Sequence, residues 1–228
     1  MSYICRKFNH LNILNMGLLL NCPVGAELAD IPVDECPSSL GQVQKVIFQR
    51  IYSGVATKNS FSAASSDPKL LASWTAVLSA ANGTKVVPSP YLNAPTTEAG
   101  AAKTYGGGNE TLGGVEIIIG REPTSFTANI LRVAQKTISA LKSYMSENVG
   151  VDLVDEYGRI ACLADNVTTP TAYYPIPISS LFVGDKSLGG LEAPDMNVIS
   201  WKFFPNWSDN LVFVTPTDFN ALSDLVNP

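Results

Sequence analysis

Very little in this chain is able to carry out acid–base or nucleophilic chemistry. There is one histidine, His10, in 228 residues. A Ser-His-Asp or Cys-His site needs a base held against its nucleophile. His10 stands in an N-terminal segment, outside the best-patterned part of the chain. Two carboxylate pairs occur, Asp34-Glu35 and Asp155-Glu156. A glycosidase pair works across a cleft, whereas Asp155-Glu156 falls at a turn between two strand patterns, where acidic side chains serve the backbone. It reads as a solvated turn. Asp152, Asp155 and Glu156 do not have the spacing of an EF-hand loop.

Metal and phosphate chemistry fare no better. Cys5, Cys22, Cys36 and Cys162 form no Cys-x-x-Cys, and one histidine is too few to complete a zinc site. The spacing permits a Cys22–Cys36 disulfide, and isolated buried thiols are the preferred reading. The run Gly106-Gly107-Gly108 invites a phosphate loop, but no Gly-Lys-Ser/Thr follows it. Asn82, Asn109, Asn166 and Asn206 match the glycosylation sequon, which matters only on a eukaryotic secretory route. Trp201, Trp207, Tyr173 and Tyr174 could form a carbohydrate platform, and packing on strands or at an interface explains them equally well. No catalytic residue, cofactor-binding residue or metal ligand is therefore expected. The chain reads as a protein that is not an enzyme and takes neither cofactor nor small-molecule substrate.

Composition sets the remaining classes. The net charge is −5, and no basic run is present to neutralise a phosphate backbone. An acidic surface beside DNA repels it and lets it slide. Only 15% of residues are charged, against the usual quarter. Such a surface is common where subunits pack, and also in secreted β proteins. The length suits one elaborated domain, or one domain plus an extension.

The elements that would position these groups follow from the pattern. Residues 1–41 read as an extended N-terminal arm, and residues 42–228 as a single β-rich domain with a long loop at about 84–111. Near the start, Arg6 and Lys7 precede an apolar segment with a Val24-Gly25-Ala26 cleavage-like site, but Asn9, Asn12, Asn15 and Asn21 interrupt it. The segment is too short to span a bilayer. A second reading begins the functional protein at Met16. Pro23, Pro32 and Pro37 keep residues 22–39 extended.

Residues 42–52 alternate with mixed polarity on both faces, as an exposed or interfacial strand does. Ser66-Asp67-Pro68 opens a helix over 68–81, with the stripe Leu70, Leu71, Trp74, Val77 and Leu78 turned to a core. Pro88, Pro90, Pro95 and Gly100 mark 84–111 as a surface excursion that orders against a neighbouring subunit.

The best-formed unit is 114–165. It predicts a strand at 115–119 and a long helix over 126–148 carrying Phe126, Ile130, Val133, Ile138, Leu141 and Met145. A hairpin of 151–154 with 159–164 then turns at Tyr157-Gly158. Pro175 and Pro177 confine 173–178 to an edge, and 197–204 and 211–215 read as strands. Thr217 or Asp218 caps a short final helix packed by Phe219, Leu222 and Leu225. No internal repeat is visible. The expected class is α+β, predominantly antiparallel β with a long flanking helix and one or two shorter helices.

This order of parts, ending in the aromatic run Trp201-Lys202-Phe203-Phe204-Pro205-Asn206-Trp207-Ser208-Asp209, resembles the tail tube proteins of tailed bacteriophages over residues 22–226. The resemblance implies a β-sandwich or barrel-like core flanked by a helix, with protomers that share strands in hexameric rings, rings stacked into a tube and DNA passing down an acidic lumen. The partners would be other copies of the chain and other virion proteins, with DNA as non-specific cargo, and the protein would reside in the virion after assembly in the host cytoplasm. It carries over no catalytic residues. By position, 22–39 and 84–111 would touch the next subunit or ring, and 42–52 would line the tube. The Gly/Pro/Ala-rich loop and the helix at 68–81 depart from the simplest members. Two other readings stand beside it: another capsid or head–tail structural protein, and a secreted or cell-surface module for carbohydrate binding or adhesion.

Overall fold

The computed structural model describes residues 30, 31 and 39–227. Expectations placed on His10, Cys5, Cys22, Cys36, the Asp34-Glu35 pair and the arm with Pro23, Pro32 and Pro37 lie outside the described residues. The chain divides into two compact units. One contains Ala101–Glu122, and the other comprises Cys36–Gly100 and Pro123–Pro228.

The larger unit begins with strand β1 (Val43–Arg50), the two-residue β2 (Phe61–Ser62), helix α1 (Leu71–Leu78), β3 (Val86–Pro88) and β4 (Asn93–Glu98). The smaller unit holds β5 (Ala102–Gly106) and β6 (Glu116–Arg121). The larger unit resumes with β7 (Thr124–Leu131), helix α2 (Gln135–Ser143) and a 3-10 turn (Tyr144–Ser146). Then come β8 (Val149–Asp155), β9 (Ile160–Ala164), β10 (Ala172–Tyr174), β11 (Ile176–Ser187), β12 (Met196–Phe203) and β13 (Leu211–Val214).

Strand pairing in the larger unit runs β2-β10-β9-β8-β11-β12-β7-β4, with β1 on β8, β3 on β1 and β13 on β9. All of these pairs are antiparallel. β11 turns the corner of the path. Its first residues pair with β8, Ile176 opposite Val151, and from Ile178 onward it pairs with β12. The register shifts between Ser179 and Phe182, and Ser180 takes a φ of 54° there. An extra residue of this kind bends a strand and lets it change partners.

Two apolar clusters flank β1, β8 and β9. Val46, Phe48, Val151, Leu153 and Ala161 pack with Phe126, Ile130, Trp201 and Phe203 from β7 and β12, and with Ile138 and Leu141 from α2. Ile47, Val154, Ile160 and Cys162 pack with Trp74 and Leu78 of α1, Val86, Val214 and Leu225. Successive strand residues point to opposite faces, so β1 and β8 feed both clusters in alternation. This is why β8 and the middle of β1 are buried throughout.

The structure is mostly antiparallel β with two α-helices among the described residues, within the α+β class expected. The long helix is absent. Residues 124–131 form β7, and α2 covers nine residues from Gln135 before the three-residue 3-10 turn. Phe126 and Ile130 are four apart, so they fit a helical stripe. With Ala128 they also fit a period of two, and the polar Thr127 and Asn129 lie between them. Arg132, at φ 52°, breaks the chain direction after β7.

Residues 84–111, expected as a long loop, hold β3, β4 and β5. Residues 42–52 were expected to be exposed or interfacial. Instead, β1 is central, paired to β3 on one edge and β8 on the other. Its polar members are accommodated individually. Lys45 Nζ donates to Leu222 O at 2.6 Å, and Gln49 Nε2 to Thr84 O at 2.8 Å.

Helix α1 is shorter than the expected 68–81 and has no side-chain cap of its own. Asp67 instead turns the chain before it, accepting from Lys69 N at 3.0 Å. The final residues form turns rather than a helix, yet Leu225 is buried and Phe219 and Leu222 pack on the second cluster.

Candidate assembly surfaces

Residues 101–122 of the smaller unit form a two-stranded antiparallel ribbon, β5 on β6, with Tyr105 opposite Ile117. Its connection is held by its own residues. Thr111 Oγ1 accepts from Gly107 N at 3.1 Å and donates to Val115 O at 2.5 Å. Gly106 has φ +91°, and a Cβ there would lie 2.0 Å from Thr111 Cγ2, so the position requires glycine. The glycine run is thus a turn device.

What the ribbon presents is apolar. Tyr105 is 57%, Ile118 60% and Ile119 65% exposed, and Val115 is exposed with them. Ile118 and Ile119 are consecutive, so they stand on opposite faces. The β-branched run at 115–119 was legible as a strand, and it forms β6 after the pair Gly113-Gly114.

In the larger unit, β7 and β12 turn Phe126, Ala128, Ile130, Ile199, Trp201 and Phe203 inward. Their other face carries Thr127, Val198, Ser200 and Lys202, with Phe182 of β11 opposite Ser200. This face is polar and sparsely charged, with Phe182 and Val198 exposed.

The aromatic residues singled out from the sequence do not form a platform. Trp201 is 1% exposed and stacks on Phe126 at 4.1 Å between ring centroids. Trp207 stacks on Phe203 at 4.4 Å, and Tyr173 is buried.

The acidic turn is solvated at Glu156 but not at Asp155. Asp155 is fully buried, and its Oδ1 accepts from Tyr157 N at 3.0 Å and Arg159 N at 2.9 Å. Its Oδ2 accepts from Arg159 Nε at 2.8 Å and Gly41 N at 3.2 Å. With its lone pairs spent this way, Asp155 closes the hairpin and has none left for a substrate. Glu156 beside it is exposed. Asp165 organises the next loop, accepting from Asn166 N, Thr171 N, Ala172 N and the Thr171 hydroxyl. The Thr171 hydroxyl and these amides hold its carboxyl down at about 2.

Among the described residues, no cluster of three or more His, Cys, Asp or Glu side chains is placed to hold a metal ion. No helix among them is long and apolar enough to cross a membrane. A cavity of about 310 Å³ lies between the turn at Asn82, Gly83 and Lys85 and the segment from Ser143 to Val149, floored by Phe48. Arg50 crosses its rim to Glu147, with Nε–Oε2 at 3.0 Å and Nη2–Oε1 at 2.7 Å. The four sequon asparagines, Asn82, Asn109, Asn166 and Asn206, are exposed.

No protein-family model matches this chain, and no curated protein matches it. Among solved structures, the chain is similar to the tail of an empty GTA particle determined by helical refinement with C6 symmetry. The identity is 11% and the TM-score 0.30, over 56% of this chain and 88% of that one. A likeness of that size does not define a shared fold.

Proposed function

We propose that the chain is a non-enzymatic structural protein of a virion. It assembles with copies of itself into stacked, hexameric rings that form a phage tail tube, and DNA passes through that tube as non-specific cargo. The observation that carries this reading is the β5–β6 ribbon. A two-stranded ribbon is marginal in water by itself, and this one exposes Tyr105, Ile118 and Ile119. Apolar groups displayed on both faces of such an element mark a contact surface. A low content of charge and a net charge of −5 suit close subunit packing and a conduit that does not bind DNA tightly. The ring and tube come from the sequence resemblance to tail tube proteins, in which the hairpin and aromatic strands are kept and the long helix is replaced by β7 and α2. Burial of β1 on both faces removes 42–52 as the lumen lining, and the water-facing side of β7 and β12 remains as an available sheet face.

The test is electron microscopy of the purified protein with sedimentation over a concentration and salt series. Rings or tubes are expected. A species that stays monomeric at every concentration and salt overturns the proposal. N-terminal sequencing of the mature protein separates the secreted reading, which requires cleavage near Ala26.

A further inference from the structure

Asp152 stands in the middle of β8, 3% exposed, on the face that also carries Val154 and looks into the second apolar cluster. Among the described residues, no donor and no cation pairs with its carboxyl. A buried carboxylate without a partner is costly. A buried oxygen with no hydrogen-bond partner lies on the neighbouring strand. Gln49 of β1 is also buried, and its Oε1 has no hydrogen-bond partner. The register places Ile47 opposite Asp152 and Gln49 opposite Gly150. Asp152 and Gln49 therefore share a face as diagonal neighbours, at a spacing that long side chains bridge. Gly150, opposite Gln49, contributes no side chain, and the Pro175 ring packs over it. A neutral carboxylic acid has one O–H to donate, and an amide oxygen accepts.

We propose that Asp152 is kept as the neutral acid and donates its hydroxyl to Gln49 Oε1, forming a proton-dependent latch between β8 and β1. The charged and titratable groups around it are compatible with this. Lys45 of β1 lies on the same face, with its ammonium held by Leu222 O and set over the Tyr91 ring at 4.4 Å. Cys162 of β9 is a free buried thiol pushed up by burial and by Asp152. Tyr173 of β10 is pushed up by burial first and then by Asp67, Cys162 and Asp165. α1, β3, β13 and the final residues bring Trp74, Leu78, Val86, Val214, Ala221 and Leu225, and the Trp74 Nε1 is already bonded to Pro68 O.

Burial pushes the Asp152 carboxyl from its ordinary 3.8 up to about 8. Between those two values the folded chain holds a proton that the unfolded chain has lost. The latch is therefore fully in place below pH 3.8, and its contribution declines as pH rises toward 8. Paired carboxylates whose values are depressed, Glu147, Asp165, Asp185 and Asp224, act in the opposite direction and at acid pH.

Carbon NMR of the side-chain carbonyl carbons tests both halves of the proposal in the wild-type protein. The Asp152 carboxyl carbon is expected to titrate far above the ordinary aspartate range, with the Gln49 carboxamide carbon following the same midpoint. An Asp152 midpoint near 3.8, or a Gln49 carbon that does not respond, overturns it. In urea, the wild-type unfolding constant should gain up to about tenfold per pH unit relative to Asp152→Asn between about pH 5 and pH 7, since one proton is released. The variant keeps a donor for Gln49 without the titration. Equal slopes for the two proteins also overturn the proposal.

Discussion

Asp218 caps a helix that begins 147 residues earlier in the chain, its Oδ1 accepting the amide of Leu71 at 2.9 Å. Helix α1 has no side-chain cap from its own flank. The bond thus satisfies one of the amides that every helix start leaves open, and it ties the C-terminal segment to α1. Thr217 reinforces the join, its amide donating to Lys69 O at 3.0 Å. Asp218→Ala should cost about 1 kcal/mol, the usual value of an N-terminal cap, and Asp218→Asn should retain most of it. Urea unfolding of the two variants checks this. Equal destabilisation by both would show that the carboxylate's charge, rather than the hydrogen bond, matters.

Asp165 gives the chain an acid-sensitive loop. Its folded value of about 2 lies below the ordinary 3.8, so its contribution is present above pH 3.8 and is lost as pH falls through about 2. The amides of Thr171 and Ala172 donate to this carboxylate. Their proton shifts should move together with a midpoint near 2 in the wild type and should not titrate there in Asp165→Asn. A midpoint close to 4 would show that these donors do not hold the carboxylate in solution.

These bonds also show which parts of the fold the sequence carried openly. The hairpin of β8 and β9 was legible because Gly158, at φ +77°, follows an acidic pair between two apolar runs. Its acidic tip was misread, because burial of Asp155 depends on Arg159 and on Gly41, which is 114 residues away. β7 was hidden because Phe126 and Ile130 satisfy two periods at once, and pairing with β12 and β4 selects the strand. β3 and β4 were hidden by Pro88 and Pro95, which mark edge strands as readily as loops. Thr217 or Asp218 was expected to cap a final helix that does not form; Asp218 caps α1 instead, and a cap for a distant helix has no local signal. The ribbon strand at 115–119 was visible, whereas its exposure was not, since a β-branched run reads alike in a core and at an interface.

Trp201 is the centre of the first cluster and carries an unmet donor. It stacks on Phe126 at 4.1 Å and meets Phe203 edge-on at 6.1 Å, while its Nε1 has no hydrogen-bond partner. Trp201→Ala should cost about 3–5 kcal/mol, as truncation of a large buried aromatic does. Trp201→Phe keeps a ring in the stack and removes an orphan donor whose burial costs about 1–3 kcal/mol, so its net loss should be markedly smaller. Denaturant midpoints of the two variants decide it. Equal losses would mean that the indole N–H is satisfied, by an aromatic face or by water.

The ribbon separates assembly from folding. Ile118 and Ile119 are exposed on opposite faces of β6, in a unit distinct from the one that contains the two apolar clusters. Replacing either with aspartate removes no core contact, so the larger unit's unfolding should shift by no more than about 0.5 kcal/mol. In an assembled contact the same change buries a charge without a partner and should cost several kcal/mol. Ile118→Asp and Ile119→Asp should therefore unfold at the wild-type denaturant midpoint while sedimenting as smaller species than the wild type at the same concentration. If both faces are used, the double variant should be weaker than either single one. Variants that assemble like the wild type would remove the ribbon from the contact surface and leave the sheet face of β7 and β12 as the next to test.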